Sequence, residues 1–202
     1  PLARLASGQA DSRPTINVAV QQILSSNTLE PLREQSNVGT RVANFYLESM
    51  IEQDLQGNLE SVPGLATEWK RIDDRTVELK LRQGVKFHNG DEMTADDVVF
   101  TFSRERMFGP DYDISSNKTL FTSVLIRDSV QGKALPPEVP AVAKRLFPAL
   151  EKVEAIDKYT VRFTNRTPDV TLEGRLGRMG SDIVSRRAFD QAKSWMDWSP
   201  RR

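Results

Sequence analysis

The segment from Thr76 to Leu81 constrains this chain more than any other. Val77, Leu79 and Leu81 alternate with Glu78, Lys80 and Arg82. A period of two places the apolar set on one face of a strand and the charged set on the other. A strand with one buried and one wet face needs a pairing partner and a covering layer. Trp69 to Ile72 supplies the partner, because Asp73-Asp74-Arg75 between the two runs is turn chemistry. Two further hairpins are expected. Gln56-Gly57-Asn58 separates two short strands, and Val153 to Ile156 and Thr160 to Phe163 flank Asp157-Lys158.

The covering layer is read from capped helical runs. Ser36 is an N-cap residue, and Val38, Val42, Phe45 and Tyr46 recur on one helical face. Thr94 opens a second helix, with Asp96 and Asp97 at its positive end, and Val98, Val99 and Phe102 are expected in the core. Arg106 continues that run one turn further on. Short helices are expected around 117–127 and 138–146, then from Asp169 to Leu176. Ile183-Val184 reads as a short strand, and Ser185 caps a last helix from Arg186 to Lys193. Thr15 to Val20 alternates and is β-branched, so it reads as a strand, with Asn27 and Pro31 marking the loop that follows. Strands and helices intermix without strict alternation, which gives a mixed α/β class with α+β character.

Composition removes several function classes. Lys plus Arg and Asp plus Glu both number 28, so the net charge is zero. That balance argues against a nucleic-acid partner, which demands a basic face. The chain has no cysteine and a single histidine, His88. Disulfides, thiol nucleophiles and multi-histidine metal sites are therefore excluded. No apolar run approaches the roughly 20 residues of a membrane span. The small-residue stretch from Leu2 to Ala10 is expected to be a flexible tail or the end of a signal peptide, with a mature start near Asp11.

The densest motif is Gly84-Val85-Lys86-Phe87-His88-Asn89-Gly90-Asp91. Its glycines do not match a phosphate-binding loop, and Asn89-Gly90 is the signature of a type I′ turn. A hydrolase would have to run through His88, yet no nucleophile elbow of the form G-x-S-x-G occurs. Asp96-Asp97 is better explained by helix capping than by a calcium loop. Trp69 is expected in the core rather than as a stacking platform. Gly177-Arg178-Met179-Gly180-Ser181 differs in kind. Its glycines allow close backbone approach, and Arg178 offers a planar fork for a carboxylate.

Three linked blocks carry a resemblance. They are Pro63-Gly64-Leu65-Ala66-Thr67-Glu68-Trp69, then Leu79 through Gly90, then Met93-Thr94-Ala95-Asp96-Asp97-Val98-Val99-Phe100-Thr101-Phe102. At these separations, and with Thr28-Leu29-Glu30-Pro31 and Asp157-Lys158-Tyr159-Thr160-Val161, the chain resembles the family 5 extracellular solute-binding proteins from about Thr15 onward. These are the oligopeptide-, nickel- and opine-binding receptors of ABC importers.

The resemblance implies a periplasmic-binding-protein type II fold in which two lobes close on a ligand. Residues 15–45 and 166–202 would belong to lobe I, and 46–165 to a subdomain inserted in it. Residues 1–14 form the tail, and lobe II lies outside the chain, which therefore reads as a fragment. Family members present ligand contacts at positions matching Gln21, Gln22, Ile23 and Asn27, and Arg178, Met179 and Gly180. The implied role is capture of a peptide, opine, metal chelate or sugar in the periplasm or elsewhere outside the cytoplasmic membrane. Delivery to ABC permease subunits would follow, by a monomer with no cofactor, metal or catalysis. A sensory module of the same fold without transport is the alternative; a hydrolase is the remote one.

Overall fold

In a computed structural model, residues 19, 28–108, 112–113, 118–119, 136, 138–178 and 180–192 are described. Apart from Ala19, the strand expected from Thr15 to Val20 lies outside them. So do Gln21, Gln22, Ile23, Asn27 and Met179.

The described chain begins with a turn over Glu30–Glu34 and helix α1 (Asn37–Ala43). The Ser36 hydroxyl accepts from the Gly39 N–H at 3.0 Å, as the cap reading requires. The buried side of α1 is Gly39 and Ala43, not the expected face. Val38 and Val42 are half-buried, and Phe45 is 83% exposed. The helix ends at Ala43, so Phe45 and Tyr46 lie past the point where helical spacing holds. Strands β1 (Ile51–Gln53) and β2 (Ser61–Pro63) form the first hairpin, antiparallel as expected.

Strands β3 (Ala66–Arg71) and β4 (Thr76–Leu81) form the second. Helices α2 (Ala95–Thr101) and α3 (Arg104–Phe108) follow. A two-residue pair, β5 (Tyr112–Asp113) with β6 (Lys118–Thr119), comes next. Lys118 and Thr119 were expected to begin a helix over 117–127, and they pair as a strand instead; the rest of that span lies outside the described residues. Helix α4 (Glu138–Leu146) has the expected bounds. Strands β7 (Leu150–Asp157) and β8 (Thr160–Asn165) form the third hairpin. Two short helices close the described chain, α5 (Leu172–Arg175) and α6 (Arg186–Gln191). The helical reading from Asp169 to Leu176 was too long, since residues 169–171 form an Asp169-braced turn before α5 begins.

The second and third hairpins join into one antiparallel sheet in the order β3-β4-β8-β7. Its inner face carries Val77, Leu79, Val161 and Phe163, none with measurable exposure. Phe102 packs edge-on against both Phe163, at 5.0 Å between ring centroids, and Phe147, at 5.2 Å. On α2, Val98 is buried while Val99 is only half-buried, because Phe100 takes the interior position and meets Phe189 of α6 at 5.2 Å. Trp69 is half-buried against the core.

The Asp97 carboxylate accepts from the Thr94 N–H at 3.0 Å and the Arg186 N–H at 3.1 Å. One residue thus braces the starts of two helices. Ile183-Val184 does not pair as a strand. The Val184 N–H goes to the Thr101 hydroxyl at 3.1 Å, a side-chain partner that takes the place of a ladder. Ser185 caps α6 through the Ala188 N–H at 3.1 Å.

The Asn89-Gly90 turn is tight but is not type I′. The Gly90 N–H donates to the Phe87 carbonyl at 2.9 Å, so His88 and Asn89 are its central residues. Among the described non-glycine residues only Leu59 has positive φ, whereas Gly90 has φ +88°. The Phe87 N–H also reaches the Asp91 carbonyl at 2.9 Å, giving a three-residue loop that closes on a left-handed glycine. The glycine is needed for closure, not for the bend itself.

Candidate functional site

A groove of about 750 Å³ is one concave region of the described residues. It lies between α1, the start of β1, the end of α4 and the loop after α5. That size falls within the range of small-ligand pockets. Another, about 100 Å³, sits under the 85–89 hairpin beside His88 and Ser185 and is too small for a dipeptide.

Close backbone approach builds the groove floor. The Ile51 N–H donates to the Leu176 carbonyl at 3.4 Å, and the Ile183 N–H to Glu48 at 3.4 Å. A Cβ on Gly177 would stand 2.7 Å from the Ile51 carbonyl oxygen, so only glycine lets the loop lie against β1. The Arg178 carbonyl accepts from both the Ser181 N–H and the Ser181 hydroxyl. Gly180 precedes Ser181 in this turn and has φ +98°, a left-handed conformation that favours glycine. A Cβ there would collide with the Leu146 side chain, and Gln35 and Leu32 close the remaining space.

The expected residues divide accordingly. Arg178 is exposed and lines the groove, and Gly180 is buried behind it. Among the described residues no side-chain hydrogen bond or ion pair engages the Arg178 guanidinium. Its neighbours are occupied: Arg175 pairs with Asp169 at 2.5 Å, and Arg145 donates to the Gln35 side-chain Oε1 at 2.8 Å. Gln35 and Leu32 close against Gly180, while Gln21, Gln22, Ile23, Asn27 and Met179 lie outside the described residues.

Sequence reading missed Asp182. It is 6% exposed, lines the same groove and accepts from the Ser49 hydroxyl at 3.0 Å and the Gly180 N–H at 3.1 Å. Burial pushes its carboxyl above the ordinary aspartate range, with those two hydrogen bonds opposing. An aspartate two residues beyond a glycine turn looks like ordinary turn chemistry, and only folding buries it.

A second missed feature lies outside the groove lining. Arg106 and Glu30 are 1% and 0% exposed and bond at 2.5 Å. Arg106 also donates to the Thr101 carbonyl at 2.9 Å. Burial drives the Glu30 carboxyl up, against the pull of the Arg106 guanidinium. Its position in the helical run had suggested only continuation.

The hydrolase constellation does not assemble among the described residues. His88 is exposed, the Asp91 carboxylate is bonded to Asn89 and Arg187, and the Ser185 hydroxyl is engaged in capping α6. No group of three or more His, Cys, Asp or Glu is placed to hold a metal ion among the described residues.

Comparison with known proteins gives this geometry a family. Residues 60–200 match the model described as bacterial extracellular solute-binding proteins, family 5 Middle. Di/tripeptide-binding protein 1 of Pseudomonas aeruginosa is 35% identical over 117 residues, covering 54% of this chain and 18% of that protein. Di/tripeptide-binding protein 2 of the same organism is 28% identical over 195 residues, 91% of this chain and 32% of that protein. The chain therefore spans between 18% and 32% of the length of these curated relatives. The solved murein tripeptide binding protein MppA of Escherichia coli superposes with a TM-score of 0.60 at 20% identity, over 87% of this chain and 31% of that one. The fold is that of part of a type II periplasmic binding protein, and the chain belongs to the family 5 bacterial extracellular solute-binding proteins.

Proposed function

We propose that this chain forms part of the ligand-capturing receptor of an ABC importer, holding one wall of the cleft for a peptide or similar small solute. Capture takes place outside the cytoplasmic membrane, and the loaded receptor passes its cargo to the permease. Membership of the family supports this reading, as do relatives described as dipeptide- and di/tripeptide-binding proteins. Residues 15–45 and 166–202 supply lobe I and 46–165 its inserted subdomain. Gln21, Gln22, Ile23, Asn27 and Met179 complete the wall with Arg178 and Gly180. The receptor is a monomer and performs no chemistry on its cargo.

One observation carries the reading. The Arg178 guanidinium is exposed on a groove of about 750 Å³ and has no side-chain partner among the described residues. A fork without an internal acceptor is suited to a carboxylate brought by a ligand. Calorimetry on the full-length protein carrying these residues tests it, with dialanine and alanyl-alanine amide as probes. Arg178→Ala is expected to weaken dialanine by about 1.5–3 kcal/mol, the worth of a hydrogen bond to a charged group, and to leave the amide unchanged. Equal affinity of wild type and variant for dialanine would remove Arg178 from the site.

A further inference from the structure

Asn89 alone among the asparagines of this sequence is followed by glycine. Both residues sit at the tip of the 84–91 loop, outside the lining of the groove. His88, Asn89 and Gly90 are all exposed, and nothing lies within 4 Å of where a Gly90 Cβ would stand. The Gly90 peptide nitrogen therefore has neither a side chain of its own nor a packed neighbour to shield it.

The Asn89 side chain is folded back along the backbone. Its Oδ1 accepts from the Asp91 N–H at 3.1 Å, and its Nδ2 donates to the Asp91 carboxylate at 2.8 Å. The first bond closes an Asx turn whose ring includes the Gly90 nitrogen. It also polarises the Asn89 side-chain carbonyl, and it faces the oxygen on which negative charge builds when a nucleophile adds to Cγ. Asp91 is held in turn by Arg187 at 2.9 Å, so the arrangement stays in place. Asn58 provides an internal comparison. It is exposed and accepts from the Glu60 N–H at 3.2 Å in the same manner, but the residue after it is Leu59. One bond opposes attack at Asn89: the Gly90 N–H donates to the Phe87 carbonyl at 2.9 Å. That bond belongs to an exposed tip, so opening it uncovers no core.

We propose that Asn89 is a site of covalent self-modification, in which the Gly90 nitrogen attacks the Asn89 side-chain amide and the pair passes through a cyclic imide to aspartate and isoaspartate. Hydroxide takes the Gly90 amide proton. The nitrogen electron pair forms a bond to Asn89 Cγ, the Cγ–Nδ2 bond breaks, and Nδ2 takes a proton from water and leaves as ammonia. Water then opens the ring. Attack at Cγ gives aspartate, and attack at the main-chain carbonyl carbon gives isoaspartate, in which the chain runs through the side chain. The net change consumes water and releases ammonia. Either product puts a carboxylate where an amide had donated to Asp91. Isoaspartate also lengthens the main chain inside the loop that the Phe87 N–H and the Asp91 carbonyl close.

Peptide mapping by mass spectrometry tests this on the full-length protein, incubated folded at mildly alkaline pH. A zero-time sample digested in parallel subtracts what forms during digestion. Acid is expected to accumulate at Asn89 as both isomers, while Asn58 in the same digest remains an amide. Accumulation should quicken as pH rises, because the attacking species is the deprotonated nitrogen. Gly90→Ala should slow it, but the Gly90 φ of +88° strains that variant. Leu59→Gly avoids the difficulty, since Leu59 is exposed and already has φ +64°, a conformation that glycine adopts without strain. It should make Asn58 reactive. Acid that appears at Asn89 only after unfolding in urea would show that the Phe87 bond guards the site, and would overturn the proposal. Equal loss of amide at Asn58 and Asn89 in the wild type would overturn it too, as would an inert Asn58 in the Leu59→Gly variant.

Discussion

The outer face of the sheet and the groove are both rich in charge, yet they use it in opposite ways. Across the sheet, register sets Lys70 opposite Glu78, Glu78 opposite Arg162 and Arg162 opposite Glu154. Signs alternate along that row. Glu78 accepts from Arg162 at 2.8 Å, Glu68 from Lys80 at 2.8 Å, and Glu154 from Lys152 at 2.9 Å. Such a face is neutralised from within and offers nothing to a passing charge. Its outer strands, β3 and β7, also present charged residues at the sheet edges, which discourages edge-to-edge pairing. In the groove, among the described residues, Arg178 has no side-chain partner and Asp182 has only neutral donors. The difference teaches that exposed charge marks a site only where the fold declines to pair it.

The largest effect is expected at the buried pair of Glu30 and Arg106. Glu30 precedes α1, and Arg106 lies in α3, which packs against α2 and α4. Their pair is fully buried, so removing one partner leaves an uncompensated charge. Arg106→Leu is expected to cost about 3–5 kcal/mol in urea unfolding. Adding Glu30→Leu should recover most of that loss, because an apolar pair of similar volume replaces an ionic one at little net cost. A double variant as unstable as the single one would show that Arg106 acts through packing rather than through its charge.

Next comes Gly180→Ala, which strikes the groove alone. Its φ of +98° is strained for any side chain, at about 1–3 kcal/mol, and the added methyl meets Leu146. Gly84 is the control. Its φ is +73°, but nothing lies within 4 Å of an added Cβ. Gly84→Ala should therefore carry strain without collision and leave ligand binding intact. If thermal unfolding ranks Gly84→Ala as the more damaging change, close packing at Gly180 is not what shapes the groove.

The legible parts of the molecule were those written in local chemistry. Alternation from Val77 to Leu81, the caps at Ser36, Thr94 and Ser185, and the bounds of α4 all follow from neighbours in sequence. Asn89-Gly90 was legible as a turn but not as to type, since the choice depends on the Phe87 N–H finding the Asp91 carbonyl. Ile183-Val184 misled because β-branched residues suit a strand, while the available partner proved to be the Thr101 hydroxyl. Of the groove, only Arg178 and the Gly180 behind it were legible as candidates, where a glycine-flanked arginine stands out. Asp182 and the Glu30–Arg106 pair depend on contacts 133 and 76 residues apart in sequence, and nothing local foretells them.

Titration separates Asp182, held by neutral donors in the groove, from Asp169, which is paired with Arg175. Asp182 keeps its proton in the fold to a pH above its ordinary 3.8, because it is buried. Between 3.8 and that raised value the folded state binds more protons than the unfolded one, so this group makes stability fall as pH rises. Asp169 behaves in the opposite sense. Burial opposes, but bonds from Thr171 and Arg175 hold its carboxyl below 3.8, so its contribution is present above 3.8 and is lost as pH falls through the lowered value. Relative to wild type, Asp182→Asn should gain stability as pH rises above 3.8, whereas Asp169→Asn should lose it as pH rises toward 3.8 and change no further above it. Urea midpoints across the acid range measure both. Parallel slopes for the two variants would contradict the distinction.

The smallest effect should come from the sheet face, and its smallness is the point. Arg162 and Glu78 are 40% and 28% exposed at their side chains, and both sit in water-facing rows of the sheet. Pairs of this kind contribute about 0.2–1 kcal/mol, since solvent screening and the entropy of two long side chains offset most of the attraction. Glu78→Gln removes one charge from the middle of the alternating row and leaves Lys70 and Arg162 flanking a neutral residue. Stability should fall within that range at low salt. The deficit should shrink as ionic strength rises, because the Debye length contracts to about 3 Å at 1 M. Ligand affinity should not change, since the row lies outside the groove lining. A loss well above 1 kcal/mol, or one indifferent to salt, would mean that the outer face is part of the structural core. The contrast with the groove would then have to be redrawn around burial rather than around pairing.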